Sequence, residues 1–421
     1  MLFLTVTLCL WPKVCRLLKG MEIGMREITI TDREEGQRLD RFLEKYMPEA
    51  PKSFFYKMLR KKNIVYNGKK ATGSERIHTG DVLKLFLAEE TIEKFRQSSE
   101  KKNAIVPGKT SASVRHVIHK DKHSSVPLNI VYEDDHVLIV NKPAGLLSQK
   151  ADKKDISLVE LIEEYLQNEG DADTFSPGIC NRLDRNTTGL VTAGKTVRGL
   201  QEMNRLFQQR TIRKYYLCIV HGTLKQEQKL EGYLLKNESN NTVSIHTVGL
   251  GREKGEKTIL PPNNRKEKRE QKKGNKRSEN KKPVKIVTAY KPLQWSSYQG
   301  EKFTLLRVHL VTGKFHQIRA HLASIGHPLV GDVKYTTAQY AEFDKKQLGQ
   351  SQQLLHAWEL CLPKENSQRR DTDMQSTDRA MVQGEEDACN VIPRGKVWRA
   401  DLPENFKSVL KRLKMKLPEG E

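Results

Sequence analysis

The chain has 421 residues, 37% hydrophobic and 7% aromatic, with a formal net charge of +22. That length accommodates two or three domains with at least one sizeable core. So large a positive excess is out of place on an enzyme for small molecules and fits a polyanionic partner, nucleic acid or a membrane surface. Six cysteines (Cys9, Cys15, Cys180, Cys218, Cys361, Cys389) are scattered without a CxxC pair. Their spacing argues against zinc ribbons, thioredoxin motifs and disulfide frameworks, and fits a reducing cytoplasm.

The chain opens with MLFLTVTLCLWPKVCRLLKG. Its apolar run of about ten residues is too short to span a bilayer. Lys13 and Arg16 follow the run rather than precede it, the reverse of a signal peptide. Residues 1–24 therefore read as a misplaced start or a disordered extension, with Met21 and Met25 as later starts. No other apolar run reaches membrane length, so the charge points to nucleic acid.

Residues 25–90 read as a compact basic unit. MREITI opens a first strand. Leu39, Phe42, Leu43 and Tyr46 recur at helical spacing. Ser53 is placed to cap a second helix that carries Phe55, Met58 and Leu59 on one side. Lys57, Arg60, Lys61 and Lys62 lie on its other side and end. Asn67-Gly68 signals a hairpin, which continues the basic run as Lys69 and Lys70. These cations read either as a solvated face or as a surface that tracks phosphates. GDVLKLFL closes the unit as a strand. The pieces RLDRFL, SFFYKMLRKKNIVYNGKK and GDVLKL together resemble the S4 RNA-binding domain. The resemblance covers about fifty residues and implies that RNA is held by the cations above.

Residues 91–125 are polar without a sustained period and read as a linker. A second domain begins near Val126. NIVYEDDHVLIVNKPAG holds two β-rich runs. Ser157 to Glu160 spell a capping box ahead of Leu161, Ile162, Tyr165 and Leu166. GLVTAGK, KYYLCIVHG and FTLLRVHLV read as strands; the segment after Thr196 and FHQIRAHLASIG read as helices. The mixed order predicts an α+β domain with a largely antiparallel sheet over residues 126–421. Polar insertions interrupt it at 251–285 and 364–390. The first carries nine of the net positive charges and too little apolar content to pack a core.

GICNRLDRNTTGLVTAGK (178–195) places Asp184 between Arg182 and Arg185. Flanking arginines are expected to keep the carboxylate ionised and its pKa low, and such a group can serve as nucleophile or base. In FHQIRAHLASIG, Ile318, Leu322 and Ile325 form a core stripe. Arg319 lies off that stripe and is free to approach Asp184, and a guanidinium can pair a carboxylate bidentately. Tyr215 and Tyr216 alternate on a strand and face opposite sides. His309, His316, His321 and His327 match no known metal-ligand spacing.

NRLDRNTTGL resembles the signature of the RluA family of pseudouridine synthases, usually HRLDxxTSGL, with Asn181 and Thr188 in place of His and Ser. VYEDDHVLIVNKPAGLLS, RKYYLCIVHG, TGKFHQIRAHLASIGHPLVGDVKY and LLHAW resemble the family's other motifs in order, although Lys314 and Phe315 depart from the commoner Arg and Thr. The resemblance covers about 200 residues. It implies the pseudouridine synthase fold behind a small α/β S4-like domain, and it implies the reaction, an isomerisation of uridine in RNA. By it Asp184 starts the chemistry, Arg319 pairs with it, Tyr216 meets the uracil and Arg182 fills the space of a flipped base. No cofactor or metal is expected. The expected substrate is large-subunit ribosomal RNA, with transfer RNA as the alternative, for a cytoplasmic monomer. A non-catalytic RNA-binding or assembly protein, or a metal-dependent hydrolase built on the histidines, are the competing readings.

Overall fold

A computed structural model describes residues 25–100, 127–152, 155–167, 176–237, 242–246, 258–259, 283–364 and 392–416. These residues divide into two units. In the first, β1 (Met25–Thr29), α1 (Leu39–Tyr46), α2 (Lys52–Arg60), β2 (Ile64–Tyr66), β3 (Lys69–Lys70), β4 (Val82–Phe86) and α3 (Glu89–Glu100) follow in order. The strands form an antiparallel sheet in the order β1-β4-β2-β3. Leu39, Phe42, Leu43 and Tyr46 of α1 and Phe55, Met58 and Leu59 of α2 are buried in one core, as their spacing predicts. Asn67 and Gly68 both take positive φ, the two-residue turn that matches the twist of a hairpin.

Two expectations are corrected here. Residues 91–100 are not linker, because α3 runs from Glu89 to Glu100, buries Ile92 and packs Phe95 on the core. Its few apolar positions hide the helical period. Ser53 is not a cap: Pro51 occupies that position, its φ of −68° leading the chain into the helix before Ser53 is reached. Residues 1–24 and 101–125 of the expected extension and linker lie outside the described residues.

The second unit holds β5 (Ile130–Glu133), β6 (Val137–Lys142), α4 (Leu158–Gln167), β7 (Gly178–Ile179), β8 (Thr188–Gly194), α5 (Val197–Gln208), β9 (Arg213–His221), β10 (Gln228–Asn237), β11 (Thr242–His246) and β12 (Thr258–Ile259). It continues with β13 (Val284–Tyr298), β14 (Glu301–Leu310), α6 (Gln317–Ser324), α7 (Ala338–Phe343), β15 (Leu355–Cys361), β16 (Val397–Arg399) and α8 (Glu404–Arg412). The result is the expected α+β arrangement around one mixed, largely antiparallel sheet. Its order is β12-β11-β10-β13-β14-β9-β15-β8-β6-β5, with β16 beside β15 and β7 beside β8. Among the described strand pairs only that of β8 with β15 is parallel. Apart from β12, the start of β13 and Lys364, the insertions expected at 251–285 and 364–390 lie outside the described residues.

Register carries the site. Tyr290, Val308, Tyr216, Ala357 and Gly189 pair in one row across β13, β14, β9, β15 and β8. The parallel approach requires the glycine: at Gly189, with φ +111°, a Cβ would stand 2.2 Å from the Ala357 carbonyl oxygen. Leu217, Ile219, Phe303 and Leu305 pack on Phe406, Val409 and Leu410 of α8. Elsewhere Val243, Ile245 and Ile286 pack on Ala320 of α6 and on Tyr335. α6, which carries Arg319, is thereby seated on the sheet.

Candidate active site

Asp184 projects from a tight loop before β8, and hydrogen bonds on both sides of it hold so short a loop in one geometry. Upstream, the Ser148 hydroxyl accepts from the Leu183 N–H (3.0 Å) and donates to the Leu183 carbonyl (2.8 Å). Downstream, the Arg185 carbonyl accepts from Lys142 Nζ (3.0 Å) and from the Gly145 N–H (3.0 Å). The turn after β6 thus grips both neighbours of Asp184. Asn181 ties the loop entry to β8, donating to the Leu190 carbonyl (3.1 Å) and accepting from the Thr192 N–H and hydroxyl (2.9 Å each). Thr188 meets His356 Nδ1 at 2.7 Å. The two signature positions that depart from the usual residues are therefore both satisfied by hydrogen bonds.

The Asp184 carboxyl is 22% exposed and has two donors near one oxygen: Arg319 Nη1 and His316 Nε2 each lie 3.8 Å from Oδ2. Two readings of the sequence change here. Arg319 is not free to pair with Asp184 bidentately. It is 4% exposed, and its bidentate partner is Asp332, with Nε at 2.7 Å from Oδ2 and Nη2 at 2.8 Å from Oδ1. Asp332 also accepts from the Lys334 and Tyr335 backbone N–H groups. The Nε–Nη2 edge of the guanidinium is thus occupied, and Nη1 is left towards Asp184. Nor do the flanking arginines hold the carboxylate low. Arg182 and Arg185 are exposed, and Arg185 lies 3.8 Å from Asp155. Burial raises the Asp184 pKa above the ordinary carboxylate value, while Arg319, Lys142 and Lys334 pull it back and Asp332 pushes it further up.

Tyr216 is buried on the Asp184 side of the sheet, and burial and the nearby carboxylate both raise its phenol pKa. Tyr215 faces the other way, with the Arg307 guanidinium 4.0 Å from its ring centre and His309 stacked at 5.0 Å. Asp184, Tyr216 and Arg319 are therefore brought together. Lys57, Arg60, Lys61, Lys62 and Lys69 are all exposed in the first unit.

With this geometry in view, residues 136–324 match the family described as RNA pseudouridylate synthase. Over that segment the chain is similar to pseudouridine synthases. An uncharacterised RNA pseudouridine synthase of Mycoplasma genitalium is 29% identical over 336 residues, 78% of this chain and 87% of its own. The ribosomal large subunit pseudouridine synthase D of Nitrosomonas europaea is 28% identical over 342 residues, 80% of each chain. The corresponding synthase C of Vibrio parahaemolyticus is 26% identical over 331 residues, 78% of this chain and 86% of its own.

The family match contains Asp184, Tyr216 and Arg319 but ends before Asp332. Sequence reasoning missed Lys142, Asp332, Tyr335 and the role of His316. Lys142 is fully buried and donates to three carbonyls, those of Pro143, Leu146 and Arg185. Burial depresses its ammonium to about 7, against the pull of Asp184. Its position at the end of an apolar strand was the available signal, since a lysine there must find acceptors. The four histidines considered as metal ligands serve separate partners. His316 meets Tyr335, His321 meets Thr288, His327 meets the His221 carbonyl and His309 stacks on Tyr215. Among the described residues no three His, Cys, Asp or Glu side chains are grouped to hold a metal, and no helix is long and apolar enough to cross a membrane.

Proposed function

We propose that this protein isomerises uridines of large-subunit ribosomal RNA to pseudouridine, with Asp184 as the catalytic carboxylate. The observation that carries the reading is Asp184 itself, partly open to solvent and beside Nη1 of a guanidinium that Asp332 fixes. The reaction breaks C1′–N1, forms C1′–C5 and moves one proton from C5 to N1, so it is balanced without redox change or a co-substrate. An ionised Asp184 supplies either attack on C1′ or proton removal at the sugar. Tyr216 lies on the side of the sheet from which a base reaches Asp184. Extruding the uridine costs about a few kcal/mol of stacking, and Arg182, exposed two residues before Asp184, fills the vacated space.

The choice of large-subunit RNA rests on the synthases C and D among the relatives and on the S4-like first unit. There Lys57, Arg60, Lys61, Lys62 and Lys69 present an exposed cationic run that contacts phosphates. In this reading the protein acts as a cytoplasmic monomer without a cofactor. Purified protein incubated with unmodified ribosomal RNA should produce pseudouridine, and Asp184→Asn should abolish turnover while RNA affinity stays within a few-fold. Mapping pseudouridine in cells with and without the gene identifies the substrate. Loss confined to transfer RNA sites would replace the ribosomal assignment. Binding without any product would favour the non-catalytic assembly reading.

A further inference from the structure

His316 is buried, yet it takes a left-handed backbone conformation (φ 53°, ψ 18°) at the residue before α6. A residue with a Cβ is uncommon there, and the strain persists only where the surroundings impose it. The imposing group is Gln317. Its amide donates to the Val287 carbonyl (3.0 Å) and the Thr288 hydroxyl (2.9 Å), and accepts from the Thr312 hydroxyl (2.9 Å) and the Lys314 N–H (3.1 Å). The turn over 312–317 is thereby fastened to β13, with the His316 ring stacked on Phe315.

The ring's tautomer follows from its other nitrogen. The Tyr335 hydroxyl lies 2.8 Å from His316 Nδ1 and already accepts the Val243 N–H at 3.0 Å. The hydroxyl's own proton is then free to go to Nδ1, which leaves the imidazole proton on Nε2. That nitrogen faces Asp184 Oδ2, the same oxygen that Arg319 Nη1 faces, each at 3.8 Å.

We infer that His316 is a positioning residue for the reaction proposed above: its Nε2–H and Arg319 Nη1 converge on Oδ2 of Asp184, so that Oδ1 is the oxygen presented to the nucleotide. Burial first, then Arg319, Lys334 and Lys236, push the imidazole down to about 2, so it acts as a neutral donor. The carboxylate gains a second hydrogen bond without a second full charge, and keeps the reactivity that a tight ion pair would remove. A separation of 3.8 Å exceeds a hydrogen bond, and a small rotation of the two side chains closes it already in the free protein. The charged and titratable groups facing Asp184 are His316 and Arg319 at α6, Asp332, Lys334 and Tyr335 after it, Tyr216 on β9 and Lys142 on β6.

The test compares the unsubstituted protein with His316→Ala, His316→Gln and His316→Asn, whose folding is checked by thermal denaturation. Two quantities are read: kcat and KM for pseudouridine formation across pH, and the Asp184 pKa from carboxyl carbon-13 resonances, assigned with Asp184→Asn. A donor to a carboxylate favours its ionised form, so removing it raises the pKa and moves the acid limb of kcat upward. Alanine should lower kcat about ten- to a hundred-fold, the range for removal of a hydrogen bond to a charged group, with KM little changed. It should also raise the limb and the Asp184 pKa by about one unit. Glutamine, whose amide N–H reaches where Nε2 stood, should restore most of both; the shorter asparagine should not. An unmoved limb and carboxyl titration in folded His316→Ala, or equal recovery by Asn and Gln, overturns the assignment. If all three variants fail to fold, nitrogen-15 shifts of the unsubstituted protein decide: a proton on Nδ1 of His316 refutes it and one on Nε2 upholds it. Absence of pseudouridine product from the unsubstituted protein would instead defeat the functional reading, and the carboxyl titration would still judge the placement of His316.

Discussion

Replacing Lys142 by Met removes a buried cation whose cost the structure makes measurable. Its ammonium falls from the ordinary 10.5 to about 7, chiefly through burial. The folded protein therefore binds this proton more weakly than the unfolded chain. Below pH 7 both states carry the proton and the full burial penalty applies, about 5 kcal/mol for a shift of this size. Between pH 7 and 10.5 the unfolded chain holds more protons, so stability rises with pH. Integrated from pH 7 to 9, this one group contributes about 2 kcal/mol of gain. The carbonyls of Pro143, Leu146 and Arg185, stranded in Lys142→Met, cost the variant stability by an amount that does not vary with pH. The assay is denaturant unfolding of both proteins at pH 7 and pH 9, reading the difference of differences so that tyrosines and cysteines common to both cancel. The original protein should gain about 2 kcal/mol more than the variant over that interval. Parallel pH dependence of the two proteins would refute the reasoning and place the Lys142 proton at an ordinary pKa.

Gly189→Ala should destabilise the second unit by about 2–5 kcal/mol, since it adds a left-handed strain to an overpacked approach to the Ala357 backbone; a thermal midpoint within error of the original would contradict the parallel β8–β15 pairing. Removing residues 25–100, including α3, should weaken RNA binding and flatten its salt dependence, by about 0.7 to 0.9 in the slope of log affinity for each phosphate no longer neutralised. The second unit, which has cores of its own, should stay folded and keep some turnover at high RNA concentration, and unchanged affinity across a salt titration would show that the first unit is no anchor. Pseudouridine formation should survive exhaustive treatment with EDTA; inactivation reversed only by zinc or magnesium, with the RNA fold intact, would revive metal chemistry.

Local chemistry makes much of this protein legible from its residues alone. The spacing of Leu39, Phe42, Leu43 and Tyr46 fixes one face of a helix whatever lies beyond it. Asn67-Gly68 determines its turn because few residues tolerate two successive positive φ angles. The alternation of Tyr215 and Tyr216 puts them on opposite sides of a strand, and the order of the motifs singles out Asp184 and Arg319. Where the pattern is sparse, as in α3 with Ile92 and Phe95 among polar neighbours, a helix reads as linker.

What only the tertiary structure decided is the environment of those side chains, because electrostatics depends on distance through space. Arg182 and Arg185 adjoin Asp184 in sequence but are exposed, whereas Lys142, His316, Arg319 and Lys334 come from distant segments. The carboxylate expected to be held low is instead raised by burial. The arginine expected to pair with it is held by Asp332, thirteen residues further along the chain. Sequence names the groups that carry charge. The sheet that joins β9, β15 and β8 in register determines which of them meet away from water, and therefore which proton each one keeps.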